Sequence, residues 1–381
     1  MNASVQVKPV DLQPVARKSK LPVQMTDEQI QAFGREIQAV RERIMSSLGE
    51  KDARYIRRVI KTQRWLEISG RGLLFAGILP PAWLAGTAML GVAKILENME
   101  IGHNIIHGQW DWMRDPDIHS STWEWDTVCP SKHWKHSHNH MHHKWTNVVG
   151  MDRDVGYGLL RMSEKQEWEP YYLGQPLYNF LLATFFQWGV ALHDLEAEKI
   201  RKGEKSYKEA IPFLKEVGVK VRKQVLKDYV LFPALAGPFF LPVLAGNAVA
   251  NLIRNYWSYA IIFCGHFPEG TEDFTVEDIE NEDKAHWYLR QMLGSANIEG
   301  GKLMHIMSGN LSHQIEHHLF PDMPSNRYAE AAREVRAIAR KYGIPYNSHS
   351  LRRQFMSSMK KVFRLSLPNR RARDEEVTVA A

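Results

Sequence analysis

Cysteine is nearly missing from this chain: Cys129 and Cys264 are the only two in 381 residues. Two isolated thiols exclude a disulfide framework and a Cys-x-x-Cys metal pair. Charge is missing from two long stretches. Residues 72–93 (GLLFAGILPPAWLAGTAMLGVA) hold no Asp, Glu, Lys or Arg, and residues 229–253 hold none either. Both runs are apolar on all sides and rich in Gly and Pro, which argues against buried helices of a soluble core. The first twenty residues, MNASVQVKPVDLQPVARKSK, lack an apolar centre. They read as a flexible cytosolic arm rather than a signal peptide. No fixed-period repeat is apparent, and no strand-like alternation runs long enough to matter, so helix is expected throughout.

A hydrocarbon core takes roughly 20 apolar residues per helix, so both uncharged runs read as membrane-inserted. The net charge is +6, with basic clusters at Lys18–Lys20, Arg54–Lys61, Lys215–Lys227 and Arg352–Arg373. No nucleic-acid fold signature accompanies them, which argues against nucleic acid as a partner and favours anionic lipid headgroups. Pro80-Pro81 divides the first run and Gly246-Asn247 the second, with basic residues only on the outer flanks. The positive-inside rule then makes each run a hairpin that enters from the cytosol and returns to it. The expected fold is an all-α membrane protein with four transmembrane helices in two hairpins, about 62–80, 82–107, 229–246 and 248–266. A helical cytosolic cap, 108–228 and 267–345, would carry the site. Residues 1–58 would form the N-terminal arm and helix, 59–345 the main domain and 346–381 a basic C-terminal tail. Multi-pass residence in the cell (inner) membrane, with both termini and the site cytosolic, follows from the same rule.

Histidine is abundant where charge is not. HWKHSHNHMHHKW, residues 133–145, packs six histidines into thirteen positions. Two further groups accompany it: His103 and His107 in GHNIIHGQW, and His313, Gln314, His317 and His318 in SHQIEHHLFP. Spacings of three and four place side chains on one helix face. A lone pair at that spacing is more often a polar face. Three groups on one side of a membrane point instead to a shared metal site, and imidazole suits iron, zinc, copper and nickel. Eight or nine ligands exceed what one tetrahedral zinc uses and match two ions. On α-helical rotation His133, His136, His140 and His143 also form a stripe, so the residues alone leave the ligand choice in the central group open.

His103-x-x-x-His107, WKHSHNHMHHKWTN and QIEHHLFP resemble the three histidine boxes of the membrane fatty-acid desaturases, nearest the bacterial acyl-CoA or acyl-lipid delta-9 type. The resemblance spans about residues 60 to 345 and includes DRDVGYG at 152–158 and GHFPEG at 265–270. It implies His138, His142 and His143 as the ligands of the central box, followed by Thr146-Asn147. His133, His136 and His140 are then surface, supporting or electron-partner contacts. The resemblance also implies His266 as a ligand. Many relatives have His where this chain has Gln314, so Gln314 would bind through a water, with His313 as its competitor. His103, His107, His317 and His318 complete the expected set. His119, His193, His286 and His349 are assigned to surface or structural roles, His305 is left open beside the third box, and Cys264 is assigned to packing.

What the resemblance implies chemically is a pair of ferrous ions, with O2 as co-substrate, that desaturate an acyl chain held in a dry tunnel. Trp110, Trp112, Trp145 and Tyr157 are candidate tunnel walls. Asp152, Asp154, Asn147 and Glu316 are candidates to orient imidazoles. The substrate would be a fatty acyl-CoA or a phospholipid acyl chain. The sequence has no HPGG haem motif and no glycine-rich flavin or NAD motif. Electrons would therefore come from a separate ferredoxin, rubredoxin or cytochrome b5 type protein with its reductase, docked on basic residues. Two alternatives share parts of this pattern. A membrane di-iron hydroxylase of alkyl or lipid chains would use the same metals, whereas a metal-handling membrane protein would need ionisable residues along a path through the spans.

Overall fold

The structure, a computed structural model, describes residues 21–196, 199–200 and 203–369. The arm of residues 1–20, its Lys18–Lys20 cluster and the chain from residue 370 onward lie outside the described residues.

Helix α1 (Asp27–Ser46) begins at Thr26, whose side chain accepts from the Gln29 N–H while the Gln29 side chain accepts from the Thr26 N–H. This reciprocal cap satisfies two backbone donors that a helix start leaves free. Its Ile30, Phe33, Ile37 and Ile44 are fully buried. They pack on α7 (Lys284–Leu293) and α9 (Tyr328–Tyr342). Helices α2 (Glu50–Phe75) and α3 (Pro80–Leu96) form a hairpin with its turn at 76–79. The pair crosses closely at two glycines: a Cβ on Gly70 would lie 2.9 Å from the Gly86 carbonyl oxygen, and one on Gly86 would lie 2.9 Å from that of Gly70.

Helix α6 (Phe240–His266) lies across both members of this hairpin, α4 (Gln175–Thr184) packs on α6, and α5 (Tyr207–Val225) runs into the segment Leu226–Leu231, which also packs on α6. Among the described residues no helix is long and apolar enough to cross a membrane. This overturns the expected four spans. Each uncharged run is interrupted by a turn, and the helices it feeds carry charge. α2 contains Arg57, Arg58, Lys61, Arg64, Glu67 and Arg71. The 17 residues of α3 end beyond Lys94, and the chain continues through Glu97 and Glu100. The second run breaks at Gly237–Phe239, not at Gly246-Asn247, and α6 continues through Arg254. Gly246 marks close packing: its Cβ would meet Leu74 Cδ2 at 2.5 Å. The flanking charges converge in three dimensions, because buried Asp228 accepts from Lys94 Nζ at 2.7 Å and from Arg71 Nη2 at 3.0 Å.

Two short strands escaped the all-helical expectation. β1 (Asn297–Glu299) pairs in parallel with β2 (Ser348–Ser350), Ile298 opposite His349. They join the start of the region read as a basic tail to the body. The next helix, α10 (Leu351–Leu365), buries Gln354, Ser358, Val362 and Leu365 against the rest of the fold.

Candidate metal centre

Four separate segments deliver the histidines. His103 closes a π-helical segment, Glu97–His103, that continues α3, and His107 follows one turn later. His138 and His142 lie in a second π-helical segment, Lys135–His142, with His143 next in line. Such widened turns are rare and recur at functional sites. Here the widening takes His143 out of the stripe expected from α-helical rotation. His133 Nδ1 and His136 Nδ1 each lie 3.2 Å from the Asp194 carboxylate, His140 is exposed, and His143 turns inward. His266 is the last residue of α6, and α8 (Gln314–Leu319) carries His317 and His318.

These eight rings meet in one buried cluster. Ligand atoms of His103, His107, His138 and His317 lie within 4.8 Å of one another, as do those of His142, His266 and His318, while His143 joins His317 and His318. The arrangement has two poles with His143 between them. Gln314 also reaches the cluster: its Nε2 is 2.9 Å from His266 Nε2, and its Oε1 is buried without a partner. Gly265 makes room for it, since a Cβ there would sit 2.9 Å from Gln314 Cδ. His313 is not brought to the cluster. It stacks on His305 at 4.5 Å between ring centroids.

The rings are held from behind. His103 Nδ1 is 2.9 Å from Asn104 Oδ1, His142 Nδ1 is 2.9 Å from Asp152 Oδ2, and His138 Nδ1 is 3.3 Å from Asp154 Oδ2. His317 Nδ1 is 3.1 Å from the Tyr328 hydroxyl, and His318 Nδ1 is 3.0 Å from Gln291 Oε1. Asn147 plays a different part. At φ 56° its side chain donates to the carbonyls of Glu272 (3.0 Å) and Gly294 (2.8 Å), and to that of His266 at 3.4 Å. Glu316 touches no ligand ring in the hydrogen-bond network; it accepts from Asn297 and Tyr346. Sequence reasoning missed Asn104, Tyr328 and Gln291. The last two lie on α9 and α7, far from any box, and carried no local signal. His193, assigned to a surface or structural role, stands 3.1 Å from Asp154 Oδ1.

A cavity opens beside the cluster, with His103, His138, His266 and Gln314 in its wall. Of the four aromatics expected there, only Tyr157 lines it; Trp125 and Trp134 supply other aromatic wall. Trp110 is buried elsewhere, against Tyr55 at 6.3 Å between ring centroids, and Trp145 lies under Lys144 Nζ. Tyr157 and His193 also border a broad outer groove containing Arg153, Tyr171, Tyr172 and Lys199.

Burial pushes His107, His143, His266, His317 and His318 well below the usual histidine pKa, and His103 down to about 3. Burial opposes charge on His142 too, yet the Asp152 and Asp154 carboxylates hold it up at about 9. Neutral imidazole is the form that binds metal. The fit to metal rests on the remaining nitrogens. Nε2 of His107, His138, His142, His143, His317 and His318 is buried without a hydrogen-bond partner. Buried polar atoms are seldom left unpaired, and four of these rings, His138, His142, His317 and His318, are fixed through Nδ1 with Nε2 free, the usual dress of a metal site.

A two-pole cluster of imidazoles in the wall of a pocket has the donor set of a metal-binding site. The profile of the fatty acid desaturase family matches residues 79–350. The NADPH-dependent stearoyl-CoA 9-desaturase of Mycobacterium tuberculosis (strain ATCC 25618 / H37Rv) is 52% identical over 92% of this chain and 83% of its own length. The sn-1 linoleoyl-lipid 6-desaturase of Synechocystis sp. is 28% identical over 74% and 80% respectively. Fatty acid desaturase 3 of Homo sapiens is 24% identical over 57% and 46%. The chain belongs to the fatty acid desaturase family and is an oxidoreductase.

Proposed function

We propose that the chain introduces a cis double bond at the delta-9 position of a saturated fatty acyl-CoA, using iron, O2 and electrons from a separate protein. The observation that carries this reading is the convergence of six unpaired, buried Nε2 atoms beside a largely apolar pocket. His103, His107, His138 and His317 would hold one ion, His142, His266 and His318 the other, with His143 between them and Gln314 beside His266 acting through a water. Bound iron supplies activation of O2, a chemistry no side chain provides. The acyl chain gives up two hydrogens to become the alkene, and these with two protons, two electrons and O2 leave as two waters.

The protein's own work is positioning. Trp125, Trp134, Tyr157 and Phe186 shape the wall along which the chain lies, and their bulk excludes water from it. Asp152, Asp154, Asn104, Tyr328 and Gln291 fix the ring orientations, so the ligands need no rearrangement when metal enters. The outer groove, reached past Tyr157 and His193, suits a polar acyl carrier, with Arg153 and Lys199 for its phosphates. CoA is favoured over a phospholipid by the M. tuberculosis relative, whose name specifies stearoyl-CoA. That relative is NADPH-dependent. A reductase drawing on NADPH would approach a second depression, where His140, Lys144 and Lys284 surround the outer edge of His143. Exposed Ile78, Leu79, Leu84, Phe239, Phe240 and Leu241 support residence at a lipid bilayer.

The test is a product assay in a host lacking the activity, supplied with saturated acyl chains. New alkenes at delta-9 are expected. A hydroxylated chain with no alkene would overturn the reading in favour of a hydroxylase.

A further inference from the structure

The cavity beside the cluster has a polar inner end that the reaction does not require. Helix α6 carries both His266 and Arg254 in the cavity wall, twelve residues apart, or about 18 Å along a helix. The Arg254 side chain is 1% exposed. Its Nε and Nη2 both donate to Asn255 Oδ1, at 3.3 and 3.1 Å, and Nη1 has no partner. The nearby acids are committed elsewhere. Asp228 accepts from Lys94 and Arg71, and Asp126 accepts from Lys227. Neighbouring polar lining is also satisfied: Asn98 donates to Ser258, and Asn255 donates to the Thr184 carbonyl. Arg254 thus lines the cavity with a guanidinium nitrogen, Nη1, whose two N–H groups have no acceptor among the described residues.

Arg254, Asn255, Ser258 and Thr127 are all buried, so no headgroup reaches this end. On the acyl-chain reading, on which this inference rests, the end of the substrate that arrives here is the methyl terminus. We propose that Arg254 is a polar stop that limits the number of carbons accepted beyond the histidine cluster. A chain short enough leaves Nη1 to water. A longer chain strips that water and offers no acceptor, which leaves a buried donor unsatisfied. Purely apolar pockets discriminate weakly between chains differing by one methylene, whereas an unpaired polar group discriminates strongly.

The experiment compares product from saturated acyl-CoAs of sixteen to twenty-two carbons, using purified iron-loaded protein with reductant and donor. Arg254→Met removes the donor while keeping much of the bulk, and Arg254→Lys keeps a donor. The ratio of long-chain to eighteen-carbon product is expected to rise on the order of tenfold in Arg254→Met and to stay near wild type in Arg254→Lys. An active Arg254→Met with an unmoved ratio overturns the proposal. A second arm needs no variant: wild type is given over-length chains ending in either a hydroxyl or a methyl, matched in non-hydrogen atoms. Preference for the hydroxyl chain is expected, because its oxygen can accept from Nη1, and preference for the methyl chain overturns the stop. Absence of product at every length in wild type instead overturns the functional reading, and the stop with it.

Discussion

His142 Nδ1 and Asp152 Oδ2 lie 2.9 Å apart, with both side chains 1% exposed. The same carboxylate accepts from the backbone N–H of Asn147 at 2.8 Å and of Asp154 at 3.0 Å. One acid therefore fixes a ring of the cluster and the turn that follows the central histidine group.

Replacing Asp152 with Asn keeps the shape and removes the charge that holds His142. Loss of a partner behind a metal-ligating imidazole typically lowers metal affinity or activity by roughly 10–100-fold. Metal titration of Asp152→Asn should show a weakening of that order, with the helical circular-dichroism signal intact. Unchanged affinity would remove Asp152 from the role assigned to it.

His313 and His317 sit four residues apart, yet only His317 joins the cluster. Elemental analysis should find His317→Ala depleted in metal and His313→Ala loaded like wild type. Equal depletion in both would return His313 to the ligand set.

Much of the histidine cluster was legible because its members come from short local patterns. His103/His107 and His317/His318 announce themselves by spacing. The family resemblance was needed to select His138, His142 and His143 from six neighbours, since their segment is π-helical and the α-helical rotation rule does not apply there. His266 would pass as an ordinary interfacial residue without its partners. Helix positions were half legible. Uncharged runs marked where α3 and α6 lie, but they hid that Arg71, Lys94 and Asp228 fold back to a single point. Gly246 showed the ambiguity of glycine in sequence: a break and a close contact look alike until the neighbour, Leu74, is known.

The α2–α3 crossing can be tested through Gly70. Its Cβ would lie 2.9 Å from both the Gly86 carbonyl oxygen and the Leu90 nitrogen, and backbone atoms cannot swing aside. Gly70→Ala should destabilise the fold by about 1–3 kcal/mol, the cost of overpacking, as measured by thermal or denaturant unfolding. A neutral or stabilising result would contradict the close crossing.

Glu97 gives a pH prediction. Burial pushes its carboxyl from the ordinary 4.5 up to about 7, and its Oε2 has no partner. The folded state then holds this proton more tightly than the unfolded state. Stability from Glu97 falls as pH climbs from about 4.5 through about 7, by at most about 3 kcal/mol. Glu97→Gln cannot ionise, so the stability difference between variant and wild type should grow over that window. The buried histidines titrate in both proteins and cancel in the comparison. A difference independent of pH would contradict the raised pKa.

On the proposed function, the eight histidines hold a pair of irons. Elemental analysis of protein produced with ample iron tests it most directly, with wild type beside His142→Ala. Two irons per wild-type chain are expected, accompanied by desaturase activity, with iron and activity both lost in the variant. Zinc alone in an active wild-type protein, or full iron in His142→Ala, would contradict it.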